Sequence, residues 1–257
     1  MCLIVFAYKL HPQYELIFAA NRDEFYERPT ADASFWDECP GVLAGKDLQN
    51  KGTWLGITRQ GRLAAVTNYR DPSLLKSETR SRGLIVSEFL CGDDAPRDYL
   101  IELDNSPYTY DPFNVLIGDR QSIWYYSNVN GDKRELPPGL YGLSNNLLDV
   151  PWPKVSRAKE ALGALLQEPE VDMEKVMGIM ADTTPAPDHE LPDTGVGLSQ
   201  ERMLSPIFIV SPIYGTRSTT VITIDYSRQV HFVERNFTAE AKESWDVEYG
   251  FKLESSV

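Results

Sequence analysis

The sequence predicts an α+β protein of the layered αββα kind, and three observations carry that expectation. Short apolar runs come in pairs, amphipathic helical stretches fall between the pairs, and strand never alternates with helix as βαβ units require. Hydrophobic residues make up 42% of the 257 and aromatics 11%, enough apolar material for a large core without disulfide staples. No internal repeat is visible and no linker parts two independent cores, so residues 1–257 are expected to form a single domain.

The first twenty residues read as a hairpin. Residues 3–8 and 16–20 are apolar runs around the polar, Pro-containing stretch 9–15, and neither alternates, as expected of strands covered on both faces. Residues 54–58 and 63–67 form a second pair through the Gly61-containing turn, and 114–118 with 122–127 a third. Late strands are expected at 207–210, 219–225 and 230–234. Ile85, Val86, Phe89 and Leu90 lie on one helical stripe that Cys91-Gly92 ends. A second stripe, Val155, Ala158, Leu162, Leu165 and Leu166, follows the helix-starting Pro151 and Pro153; Met173, Val176, Met177 and Met180 make a third, read as core packing. Residues 182–206, with Pro185, Pro187, Pro192, Gly195 and Gly197, lack apolar periodicity and are expected to be a mobile loop or a lid.

With 25 Lys and Arg against 38 Asp and Glu, the net charge of −13 argues against binding nucleic acid and against docking on anionic membranes. No run approaches a membrane span, and the apolar residues 3–7 are too short for a signal sequence. Three scattered cysteines, Cys2, Cys39 and Cys91, contain no C-x-x-C pair, and His11, His189 and His231 share no ligand-like spacing. A soluble protein of a reducing, cytoplasmic compartment, without metal or cofactor, is therefore expected.

The nucleotide, serine-hydrolase and zinc-protease signatures are absent, and Asp23 and Glu24, adjacent on an extended chain, point to opposite sides. Cys2 remains. A cysteine after the initiator permits removal of Met1, which would join a nucleophile and a base in one residue. An α-amine has an ordinary pKa of about 7.7–8.0 and can take the thiol proton. By position alone, Cys2 reads first as a small hydrophobe capping a strand, ahead of the nucleophile. Of the three thiols Cys2 is expected to react fastest, with Cys39 exposed in a loop and Cys91 partly buried.

The segment Ala19-Ala20-Asn21-Arg22-Asp23-Glu24-Phe25, with Arg28-Pro29 after it, resembles the hallmark of the NRDE family, that of transport and Golgi organisation protein 2. Further blocks agree in order: Gly52-Thr53-Trp54-Leu55-Gly56-Ile57, Ala65-Val66-Thr67-Asn68-Tyr69-Arg70, Tyr141-Gly142-Leu143-Ser144-Asn145, Pro151-Trp152-Pro153-Lys154 and Tyr214-Gly215-Thr216-Arg217-Ser218. The family in turn resembles N-terminal-nucleophile hydrolases such as penicillin acylases and bile-salt hydrolases, which implies a four-layer αββα sandwich. It implies Cys2 as nucleophile and amine base, Asp23 orienting the amine, Asn68 and Asn145 serving the oxyanion and the amine, and Arg217 beside the nucleophile. Where bile-salt hydrolases have an arginine before the matched asparagine, Ala20 stands here and Arg22 follows Asn21. A shift of two keeps the strand facing, so Arg22, with Asn21, is assigned to the substrate. Two functions stay open: a hydrolase or acyltransferase acting on an amide or thioester of a small acyl-bearing molecule, and a binding or trafficking protein for acyl-CoA, lipid or haem.

Overall fold

Strands come first and last in the chain, with helices grouped between them. The computed structural model describes residues 2–254, and of Cys2 its backbone alone. In order, it runs β1 (Cys2–Tyr8), β2 (Tyr14–Phe25), β3 (Thr30–Phe35), β4 (Val42–Asp47), β5 (Leu55–Thr58), β6 (Leu63–Asn68), α1 (Gly83–Cys91) and α2 (Pro96–Asp104). There follow β7 (Phe113–Gly118), β8 (Ile123–Ser127), β9 (Lys133–Glu135), β10 (Gly139–Leu143), α3 (Pro153–Leu165), α4 (Met173–Met180) and α5 (Leu198–Leu204). β11 (Tyr214–Asp225), β12 (Gln229–Phe237) and β13 (Ser244–Lys252) complete the described chain. By contacts it divides into two units, one of residues up to 27, 70–72 and 137–251, the other of residues 28–69, 73–136 and those described from 252 onward.

The first unit is a six-stranded sheet in the order β10-β1-β2-β11-β12-β13. The opening hairpin extends further than its apolar run: β2 continues through Asn21, Arg22 and Asp23, and all three are buried. One face of the sheet, through Leu3, Val5, Ala7, Ile17, Ala19, Val221 and Val233, packs on Val155, Ala158 and Leu162 of α3 and Val176, Met177 and Met180 of α4. The opposite face is buried too: Phe6 stacks on Phe18 and Tyr141. Coverage of both faces is why these strands show no alternation. Pro153 opens α3 with its fixed φ, and the Asp172 side chain accepts from the Glu174 N–H at the start of α4.

The second unit is a seven-stranded meander, β3 to β9 in chain order, with α1 and α2 on one face. Ile85, Val86, Phe89 and Leu90 of α1 meet Val42, Ala44, Ala64, Val66, Val115 and Ile117 of the sheet. Arg62 donates through Nε and Nη2 to the Phe89 carbonyl, so a cation satisfies the last turn of α1. Gly52, at φ +79°, lies where a Cβ would come within 2.5 Å of the Gly83 carbonyl oxygen, so the approach to α1 requires glycine.

Two expectations are corrected. Residues 207–210 are not a strand: Ile207, Phe208 and Ile209 are buried in an irregular segment. Residues 182–206, expected as a mobile loop or a lid, hold a 3-10 turn at Asp188–Glu190 and then α5, whose Glu201 and Leu204 are buried. Cys39 and Cys91 are not separate thiols. They form a disulfide with Cα atoms 5.8 Å apart, closing a loop of sequence separation 52 in the second unit. No helix among the described residues is long and apolar enough to cross a membrane.

The chain-entropy view of a cross-link closing about 50 residues gives a stabilisation of about 4 kcal/mol. Replacing both Cys39 and Cys91 by Ser is therefore expected to lower the unfolding free energy by about that amount. Urea denaturation of oxidised wild type and the double variant reads this out, and an unchanged midpoint contradicts it.

Candidate active site

The end of the first sheet at which β1 begins is unusually polar. Cys2 pairs with Arg22, Arg22 with Ser218 and Ser218 with Asn236, so one rung across four strands carries a thiol-bearing residue, a guanidinium, a hydroxyl and an amide. Arg22, Ser218 and Asn236 are all buried. The β1–β2 register pairs Leu3 with Asn21 and Cys2 with Arg22, so the next position on β2 is Asp23. Met1 and the Cys2 side chain, on which the expectations of processing and thiol reactivity fall, lie outside what is described.

Between β2 and β11 the ladder skips one residue. Thr216 pairs with Asp23 and Ser218 with Arg22, leaving Arg217 bulged out of register. The bulge lets two threonines three apart serve two residues that are two apart. Thr216 Oγ1 donates to Asp23 Oδ1 at 2.7 Å, and Thr219 Oγ1 donates to Asn21 Oδ1 at 2.7 Å. Without the skip, one of the two would face the wrong side of the sheet.

The residues expected from sequence are thus distributed as follows. Asp23 is 1% exposed; its hydroxyl partner is Thr216, and the Tyr214 hydroxyl donates to its backbone carbonyl at 3.1 Å. Burial raises its carboxyl above the usual carboxylate range, opposed by the positive charge of Lys154, the Thr216 hydrogen bond and Arg70. Asn21 Nδ2 donates to the Met180 and Ile207 carbonyls at 2.8 and 2.9 Å, which pins the irregular segment and the end of α4 to the sheet. Asn145 is fully buried just past β10, where its Oδ1 accepts from Arg70. Arg217, half-buried, donates through Nη1 to the Phe25 carbonyl at 2.9 Å; burial lowers its pKa while Glu24 and Tyr26 raise it. Asn68 is the last residue of β6 and belongs to the second unit.

Lys154, Arg70 and Glu201 went unnoticed in the sequence. Lys154 is 2% exposed on the first turn of α3, below the apolar stripe that was legible. Arg70 and Glu201 form a buried ion pair at 2.6 Å, their side chains 5% and 3% exposed. Arg70 and Lys154 do end two of the family-like blocks, which was the available signal; Glu201 had none. Among the described residues no cluster of His, Cys, Asp and Glu has the makings of a metal site.

The fold is that of the N-terminal-nucleophile hydrolases. A variant of conjugated bile acid hydrolase from Clostridium perfringens superposes with a TM-score of 0.55 at 10% identity, over 98% of this chain and 97% of its own. A Caenorhabditis elegans ortholog of N-acylethanolamine-hydrolyzing acid amidase does so with a TM-score of 0.50 at 10% identity, over 86% and 92%. At such identities the likeness speaks for fold alone. The chain itself belongs to the Transport and Golgi organisation 2 family, whose model matches residues 1–239. The Transport and Golgi organization protein 2 homologs of Bos taurus and Homo sapiens are each 35% identical to it, over 99% of this chain and 100% of theirs.

A carboxyl whose pKa is raised on folding binds its proton more tightly in the folded than in the unfolded chain, so stability falls as pH rises from about 3.9 to the raised value. Asp23→Asn does not titrate and escapes that loss. The stability of Asp23→Asn relative to wild type is therefore expected to increase with pH from 4 upward and then level off. Urea denaturation across that range measures it, and a pH-independent difference removes the assignment.

Proposed function

We propose that the protein is an N-terminal-cysteine hydrolase or acyltransferase, acting on an amide or thioester carbonyl through a Cys2 acyl intermediate once Met1 is removed. The observation that carries this reading is the β1–β2 register, in which the buried Asp23 follows the Cys2–Arg22 rung at the end of a central strand. A strand end is where a free α-amine would lie, and a carboxylate beside it favours one orientation of that amine. The family fold supports the same reading, since both solved structures compared above are named as hydrolases.

The chemistry follows from one residue supplying two groups. The unprotonated amine of Cys2 takes the thiol proton, and the thiolate attacks the carbonyl carbon. The tetrahedral oxyanion needs a preorganised donor, a role suited to the carboxamide of Asn145. Collapse breaks the bond to the leaving amine or thiol, which receives the proton from the Cys2 ammonium. Water, or an acceptor nucleophile, then gives a proton to the amine and attacks the acyl-cysteine, releasing acid or transferred product and restoring the thiol. Asp23 orients the amine, while Arg217 and Arg22 favour thiolate over thiol or bind an anionic group of the substrate. Asn21 remains a substrate-side residue only through its backbone position, because its carboxamide is committed to the Met180 and Ile207 carbonyls and to Thr219.

Incubation with p-nitrophenyl acetate and with a small acetyl thioester, followed by intact-mass and peptide mapping, tests the proposal. Protein beginning at Cys2 is expected to carry an acetyl group on that residue, with a rate that falls below the amine pKa of about 7.7–8.0. Cys2→Ala and protein retaining Met1 are expected to lose the adduct. With Cys39 and Cys91 joined, Cys2 is the one cysteine outside the bridge, so mapping is unambiguous. Retention of Met1 throughout protein from the native host, or equal labelling with Met1 attached, overturns the enzymatic reading.

A further inference from the structure

A carboxamide has two ends of nearly the same shape and opposite hydrogen-bonding sense, and an oxyanion can use only the nitrogen end. Something must therefore fix which end of Asn145 faces which way. Arg70 is placed to do so. Its backbone N–H donates to the Asn145 carbonyl at 2.8 Å, and its Nη2 donates to Asn145 Oδ1 at 3.3 Å. The Ser144 hydroxyl donates to the same Oδ1 at 3.4 Å. A guanidinium carries donors and no acceptor, so the reversed carboxamide would set N–H against N–H in a buried site.

Arg70 is itself held from two sides. Its Nη1 donates to Glu201 Oε2 at 2.6 Å, and its guanidinium lies over the Trp152 ring at 4.8 Å from the centroid. The other oxygen of Glu201 accepts from the Thr194 N–H at 3.0 Å and from its hydroxyl at 2.6 Å. A continuous path of hydrogen bonds thus runs from Thr194 through Glu201 and Arg70 to the Asn145 carboxamide. Burial of this ion pair makes it a demanding arrangement for stability alone, since an apolar pair of similar volume would often do as well.

We propose that Arg70 is a positioning residue, fixing the Asn145 carboxamide with Nδ2 as its donor end, and that Glu201 on α5 holds Arg70 for that task. The proposal deepens the reading of Asn145 as an oxyanion donor in Cys2 acylation and rests on it. It also gives the segment 182–206 a role in the site through the buried end of α5.

Two measurements separate this proposal from the reading it rests on. The first is the kinetics of Cys2 acetylation by p-nitrophenyl acetate in wild type, Arg70→Met, Arg70→Lys and Glu201→Gln. Arg70→Met is expected to lower kcat about 100-fold with KM little changed, the loss typical of one oxyanion donor. Glu201→Gln is expected to lower it about tenfold, and Arg70→Lys to recover part of the loss because an ammonium can still reach Oδ1. An unchanged kcat in Arg70→Met, or a change in KM alone, overturns the proposal. The second is the side-chain amide resonance of Asn145 in protein labelled with ¹⁵N-asparagine, identified by its loss in Asn145→Asp. It is expected to shift in Arg70→Met and, less, in Glu201→Gln. If wild-type Cys2 is not acetylated, the nucleophile reading falls and this resonance alone decides: a shift supports the positioning role, and no shift refutes it. Should Arg70→Met fail to fold, Arg70→Lys and Glu201→Gln are read by the same two criteria.

Discussion

Asp23 is a carboxylate held almost entirely out of water at the end of the strand on which its whole sheet depends. β2 is flanked by β1 and β11, and the polar residues at its far end tie β11 and the α4 terminus to it. An isolated buried carboxylate is costly, so its surroundings must offset the lost hydration. They do so with a hydroxyl from Thr216 at the bulge and a cationic Lys154 from the first turn of α3. Strand pairing, helix docking and the polarity of the candidate site are thereby one problem. The helix that seals the apolar face also delivers the charge that its own sealing makes necessary.

The two units solve the same packing task by different means. In the first, the stripes of α3 and α4 meet a sheet whose strands are buried on both faces, and Asn21, Arg22 and Asp23 are buried together at one end of β2. In the second, neighbouring strands follow one another along the chain except where α1 and α2 intervene between β6 and β7, and a cross-link between Cys39 and Cys91 supplements the α1 core. Arg62 shows how local the second solution is. One guanidinium caps the last turn of α1, stacks on the Phe89 ring at 3.9 Å and reaches the Asp94 carbonyl.

Much of the fold was legible in the amino-acid sequence because it rests on local periodicity. The stripe Ile85, Val86, Phe89 and Leu90 became α1, and Val155, Ala158, Leu162 and Leu165 became the buried face of α3. The run 207–210 misled because an apolar segment can be buried without a ladder; Thr216 hydrogen-bonds the Ile209 N–H and draws it in. The helix α5 was hidden among prolines and glycines, and its burial depends on Glu201 finding Arg70 far away in sequence. The pairing of Cys39 with Cys91 is likewise a matter of tertiary distance, which spacing does not encode. Asp23 and Arg217 were picked out through family-like motifs. Their partners Thr216, Lys154 and Phe25 follow only from sheet register and helix placement.

The bulge at Arg217 sets the reading frame of β11. Upstream of it, positions matching the helix-facing side of β2 fall on even numbers, as at Thr216; downstream they fall on odd ones, as at Thr219 and Val221. A strand with a frame change inside it does not tolerate a gain or loss of a single residue at that point. Either alteration would turn the apolar half of β11 outward from α4 while leaving its composition untouched. Relatives that differ freely in loop length should therefore keep a fixed count between the residue opposite Asp23 and the residue opposite Asn21. That count marks the frame of the site in a related chain even where the residues themselves have changed.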